Sequence, residues 1–106
     1  MSRIRPLDPT SIEDPSQFAT ADLRNRIGTG KFKEGLNIVE IDDDQVALTA
    51  KVENGRIAGY VFIDSSGAEI PGTVLRKQSR PGVPVEECFI CRRRGDTITC
   101  KQIPCP

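Results

Sequence analysis

Apolar and polar residues alternate from Gln45 to Asp64 on either side of Asn54-Gly55. Both turn residues tolerate positive φ, and this dipeptide is the strongest short hairpin signal. A two-residue loop here sets Glu53 opposite Arg56, Val52 opposite Ile57, Ala50 opposite Gly59, Leu48 opposite Val61 and Val46 opposite Ile63. Every second pair is then apolar and forms one row, while Lys51–Ala58, Thr49–Tyr60 and Ala47–Phe62 fall on the other face. "LNIVEI" (36–41) reads as a further strand, closed by a turn at Asp42, Asp43 and Asp44. "DSSG" (64–67) reads as a tight turn, and "GTVLRK" (72–77) as a last strand.

Upstream the period changes. Asp14 can cap a helix, Pro15 suits its first position, and Gln17 sits where a capping-box partner belongs. Ala19, Leu23 and Ile27 recur at i, i+4 and i+8, with Phe18 at the edge of the stripe and Gly28 as the stop. The expected fold is α+β: a small antiparallel meander of about three to five strands with one N-terminal helix packed on it, plus a Cys-rich C-terminal tail. By residue, this gives an α+β body over 1–77, made of an irregular arm (1–13), a helix (14–27) and a sheet (36–77). A linker (78–84) with Pro81, Gly82 and Pro84 leads to the tail (85–106). The prolines favour a body that folds without the tail; were the tail to pack on a sheet, Phe89, Ile90 and Ile98 are what it would bury.

At 106 residues the chain has room for about one core. Its only aromatics are four Phe and one Tyr, so that core must be mainly aliphatic. Net charge is zero but unevenly spread: residues 1–75 hold eight Lys/Arg and twelve Asp/Glu, residues 76–106 seven and three. A basic tail on an acidic body points to a protein partner or an acidic surface, with Arg92, Arg93, Arg94 and Lys101 as the contact residues. Nucleic acid is weakly supported, because only Phe89 lies nearby for stacking. No stretch approaches the roughly 20 apolar residues of a membrane span, and "MSRIRPLDPTSIEDPSQ" has no signal-peptide core. The default location is cytoplasmic, with a secreted product if the tail is released. Nothing in the pattern bears on oligomeric state.

The chemistry concentrates in C-x2-C-x8-C-x4-C: Cys88, Cys91, Cys100 and Cys105. Folding "CRRRGDTITC" about Gly95-Asp96 pairs Arg94 with Thr97, Arg93 with Ile98, Arg92 with Thr99 and Cys91 with Cys100. The tail ends then converge. Four thiolates suit a structural zinc ion, which would order a short tail with few apolar residues. The same convergence suits two nested disulfides, Cys91–Cys100 and Cys88–Cys105, with no cofactor. A cytosolic default favours zinc. A redox CxxC needs a helix N-terminus, whereas Gly and β-branched residues follow here. Arg94-Gly95-Asp96, between two cysteines, resembles the exposed loop of integrin-binding disintegrins over three residues; a Gly-Asp turn accounts for the same letters.

Other motifs fail on chemistry. Without histidine there is no Cys-His or Ser-His nucleophile arrangement. "GTGKFKEG" has Asn25 and Phe32 where a phosphate loop needs Gly and Ser/Thr, and the Asp triplet lacks the calcium-loop Gly. The leading expectation is a non-enzymatic binding or assembly module with a zinc-organised basic tail. The alternative is a precursor or carrier whose Cys-rich C-terminal peptide, stapled or modified, is the functional product. A CxxC thiol redox protein stands third.

Overall fold

The hairpin turn forms where the pattern places it, with Asn54 and Gly55 at φ 55° and 74°. In the computed structural model, which describes residues 8–78, 82 and 86–106, it joins two strands of one of two four-stranded sheets. The chain divides into two compact units, Thr29–Pro71 and Met1–Gly28 with Gly72–Cys105.

The Thr29–Pro71 unit is an antiparallel meander of β2 (Gly35–Ile41), β3 (Ala47–Glu53), β4 (Arg56–Ile63) and β5 (Glu69–Ile70), in that spatial order. Its turns are tied locally. Glu34 accepts from the amides of Asn54 (3.0 Å) and Gly55 (3.5 Å), linking the chain before β2 to the β3–β4 turn. Gln45, at φ 65°, closes the β2–β3 turn by donating to the Asp42 carbonyl. The Asp64 carboxylate accepts from the Ser66 hydroxyl and from the Ser66 and Ala68 amides, which holds its pKa below the usual carboxylate range.

The β3–β4 register departs from simple alternation. Val52 faces Ile57, but Lys51 faces Gly59, so Ala58 is a bulge. Beyond it Ala50 faces Tyr60 and Leu48 faces Phe62, one residue later than a bulge-free hairpin would have them. Phe62 and Tyr60 thereby join the buried row of Leu48, Ala50 and Val52, while Val61 and Ile63 move to the opposite face. Burial pushes the Tyr60 phenol up to about 12.

The other unit overturns the expected α+β class. Asp14 and Pro15 do start a helix, and the Asp14 carboxylate accepts from the Ser16 amide, but the result is a 3-10 turn, Pro15–Phe18. The chain then extends as β1 (Ala19–Asp22) before a short helix α1 (Arg24–Thr29). Leu23 and Ile27 remain i, i+4 partners, both buried, with the Ile27 amide donating to the Leu23 carbonyl. Ala19 instead pairs in the sheet, and the Thr20 hydroxyl donates to the Cys100 carbonyl. The alanines favour helix and the β-branched Thr favours strand, so local propensity is overridden by tertiary pairing with the strand Thr97–Ile103.

The expected last strand of the meander also changes sheets. Past Pro71, β6 (Thr73–Gln78) pairs antiparallel with β7 (Glu86–Arg94), which pairs with β8 (Thr97–Ile103). The sheet order is β1-β8-β7-β6, with β1 parallel to β8. Residues expected to form an accessory tail thus supply the two middle strands. Phe89, Cys91, Ile98 and Cys100 form a core against which Ile12, Phe18 and Leu75 pack, and Ile90 is buried as well. Lys77 ties the edge strand to the N-terminal turn through Asp14 (3.0 Å) and Ser16 (3.2 Å). Of the expected arm, residues 1–7 lie outside the described residues, while Asp8 caps a 3-10 turn at Pro9–Ser11. Of the expected linker, Gln78 closes β6 and Gly82 has φ 83°; residues 79–81 and 83–84 lie outside the described residues.

Leu48, 1% exposed, tests the buried row. Leu48→Ala should lower the unfolding free energy by about 2–5 kcal/mol in a denaturant titration. A loss under about 0.5 kcal/mol, the range of surface substitutions, would place the core elsewhere.

Candidate functional site

The β7–β8 hairpin follows the register read from its sequence, with Arg94 opposite Thr97 and Cys91 opposite Cys100. Gly95, at φ 63°, makes the tight turn, and the Thr97 hydroxyl donates to the Arg94 carbonyl at 2.8 Å. Both strands run without a register shift, so successive side chains alternate between the two sheet faces. Cys88 and Cys91, three positions apart, must therefore point to opposite faces.

That parity decides the thiol chemistry. On one face Cys91 bonds to Cys100, its direct cross-strand neighbour, with the Cα atoms 4.1 Å apart. On the other face Cys88 bonds to Cys105, just past the end of β8, at a Cα separation of 5.2 Å. All four cysteines are used. The expected zinc site at Cys88, Cys91, Cys100 and Cys105 is overturned, because a tetrahedral site needs four sulfurs on one centre and the sheet lies between the two pairs. Among the described residues no group of three or more His, Cys, Asp or Glu could hold a metal. The zinc-organised module falls with it. The same parity keeps Cys88 and Cys91 from bonding to each other while β7 is paired, and neither sits at a helix N-terminus.

The bonds are nested, with sequence separations of 9 and 17. Closing the outer loop removes about 3 kcal/mol of unfolded-chain entropy, and the inner bond adds less because its ends are already confined. Cys88, Cys91 and Cys100 are fully buried, whereas Cys105 is exposed.

The four basic residues singled out in the sequence have different surroundings. Arg93 is exposed near the tip and Arg94 is half-buried. Arg92 (3% exposed) and Lys101 (4%) are buried on the Cys88 face, and each is engaged by interactions in the fold. The surface of the tip is Arg93, Gly95, Asp96 and Thr97 with part of Arg94, which places the Arg-Gly-Asp triplet on the turn. Opposite Arg93, Ile98 is buried in the core, so the tip is anchored directly beneath its exposed charges.

A second feature carries no titratable chemistry and was not singled out in the sequence. Leu36, Ile38 and Ile41 on β2 are 59, 63 and 56% exposed and, with Ala47 and Ile63, line an apolar groove of about 430 Å³. The alternation within "LNIVEI" was its signal, but it marks a strand without saying which face is covered.

These features define a small, mostly β protein whose C-terminal hairpin is closed by two disulfides, one on each sheet face. No family model, curated protein or solved structure matches the chain.

Exposure orders the reduction of the two bonds. Under limiting reductant with alkylation, Cys88 and Cys105 should be labelled before Cys91 and Cys100, because thiolate attack needs access to a sulfur and Cys105 offers it. Peptide mapping that finds Cys91 and Cys100 labelled first would contradict their burial.

Proposed function

We propose that the chain is a carrier for its own disulfide-stapled C-terminal segment, which acts by binding rather than catalysis in an oxidising compartment. One observation carries this reading: both disulfides close within residues 88–105. The segment is covalently complete in itself, and no cystine ties it to the rest of the chain. The remainder supplies β1 and β6, which flank the stapled hairpin and complete its sheet. Disulfides persist where thiols are not kept reduced, which favours an extracytoplasmic destination over the cytoplasm. No helix among the described residues is long and apolar enough to cross a membrane.

The tip is the working surface in this reading. Arg93 and Arg94 stand next to a turn whose backbone is held by the Cys91–Cys100 bond, so little loop ordering remains for binding. The partner is an acidic surface, matched to the basic C-terminal third of the chain. A cut within residues 79–85 would leave the product stapled, and the chain with or without that cut fits the proposal.

The test starts with material purified without reductant from the producing cells. Intact mass should show the chain, or its C-terminal fragment, four hydrogens lighter than the reduced form. Binding to immobilised polyglutamate should weaken about tenfold in the Arg93→Glu/Arg94→Glu variant and fall with added salt. Reduced thiols in the native material, or unchanged binding by the double variant, would overturn the reading.

A further inference from the structure

The apolar groove on the meander runs along one sheet face. A register shift between Ile38 and Glu40 brings Ile41 onto the face of Leu36 and Ile38, so their row continues to the end of β2. There Ile41 pairs with Ala47, and Ala47 with Ile63, which sets three apolar side chains abreast on the same face. From Leu36 to Ile41 the row extends roughly 15 Å. Among the described residues that line the groove none is aromatic.

The apolar row ends in a charge. Past Ile63, Asp64 and Ser65 line the groove from the β4–β5 turn, and Gln45 lines it from the β2–β3 turn. Asp64 is the only charged residue on this wall among the described residues. The Ser66 hydroxyl and the Ser66 and Ala68 amides all donate to its Oδ1, and none of the three to Oδ2. The Ser66 hydroxyl and these amides hold the carboxyl below the usual carboxylate range, so it is anionic at neutral pH. The groove is thus aliphatic along its length, with a fixed anion, an amide and a hydroxyl at one end.

We propose that this groove binds a single-chain aliphatic amine, its alkyl chain along Leu36, Ile38 and Ile41 and its ammonium at Asp64. Area argues for a small ligand over a second protein. Three side chains at 56 to 63% exposure present on the order of 300 Å² of apolar surface, well short of the ~800 Å² that each partner gives a stable interface. A groove of about 430 Å³ falls within the range of small-molecule sites. An extended chain of about ten carbons matches the length of the row. Charge then selects the head group. A carboxylate would meet Asp64 in repulsion, whereas an ammonium pairs with Oδ2 and can donate to the Ser65 hydroxyl and the Gln45 side-chain carbonyl. The groove shares no residue with the hairpin tip, so this site and the binding proposed for the tip stand or fall separately.

The experiment is an NMR titration of the oxidised, full-length, 15N-labelled chain with octylammonium, octanol and octanoate, each below micelle formation. Saturable shifts should centre on Leu36, Ile38, Ile41, Ala47 and Ile63. Octylammonium should bind about threefold more tightly than octanol, and octanoate more weakly than either. Across hexyl-, octyl- and decylammonium, affinity should rise about twofold per methylene, as expected for a chain half-covered in an open groove. Asp64→Asn keeps an oxygen for the Ser66 and Ala68 amides, and should remove the preference for the amine while leaving octanol binding unchanged. Ile38→Asn should weaken all three ligands; the side chain is exposed, so circular dichroism should match the wild type. Shifts that do not saturate or that scatter over the whole chain would overturn the proposal. So would affinity independent of chain length, or an amine preference that survives Asp64→Asn.

Discussion

Adjacent side chains on a β-strand point to opposite sides of its sheet, and Cys88 and Cys91 lie three positions apart on one uninterrupted strand. The identity of the site follows from that parity. Each cysteine must find its partner on its own face. Cys91 finds Cys100 directly across the hairpin, and Cys88 finds Cys105 where the chain passes the end of β8. A metal centre would need the strand broken between the two cysteines, at the cost of the ladder that joins β7 to both its neighbours.

The disulfides sit where the sheet most needs them. The Cys91–Cys100 bond belongs to the core with Phe89 and Ile98, and the Cys88 sulfur is buried beneath the opposite face. A chain with four Phe, one Tyr and no Trp has limited means of filling two small cores with large side chains. Small domains with too little apolar surface are commonly stabilised by such cross-links. The stapled hairpin then acts as a rigid middle on which weaker elements assemble. On one flank β1 joins β8 with a register shift at Thr20, and on the other β6 is fastened through Arg76–Glu86 and the Lys77–Asp14–Ser16 cluster.

Local turn chemistry was legible in the sequence. Asn54-Gly55, the Asp42–Asp44 turn, "DSSG" and the Gly95-Asp96 hairpin all fold where their residue types point, because φ preference and side-chain capping are local properties. The nested cystine pairing is legible as one of three outcomes, beside zinc and free or redox-active thiols; the cytosolic default favours zinc, and parity excludes it only where β7 runs uninterrupted through both cysteines. Non-local pairing was hidden. Nothing in "FATADL" announces a parallel partner eighty residues later, so a helical stripe of three residues looked sufficient. The Ala58 bulge was hidden for a related reason: Gly59 permits it, but only the packing of Phe62 and Tyr60 on the buried face calls for it. Arg92 and Lys101 read as surface charge in composition, and their burial depends on which sheet face they share.

Peptide mapping under non-reducing conditions tests directly for one disulfide on each face of β7. Chymotryptic cleavage after Phe89 separates Cys88 from Cys91, and tryptic cleavage after Arg92, Arg94 and Lys101 separates the remaining cysteines. Residues 90–92 should be linked to 95–101, and the peptide containing Cys88 to 102–106. Four alkylatable thiols with one bound zinc, or a Cys88–Cys91 bond, would contradict it.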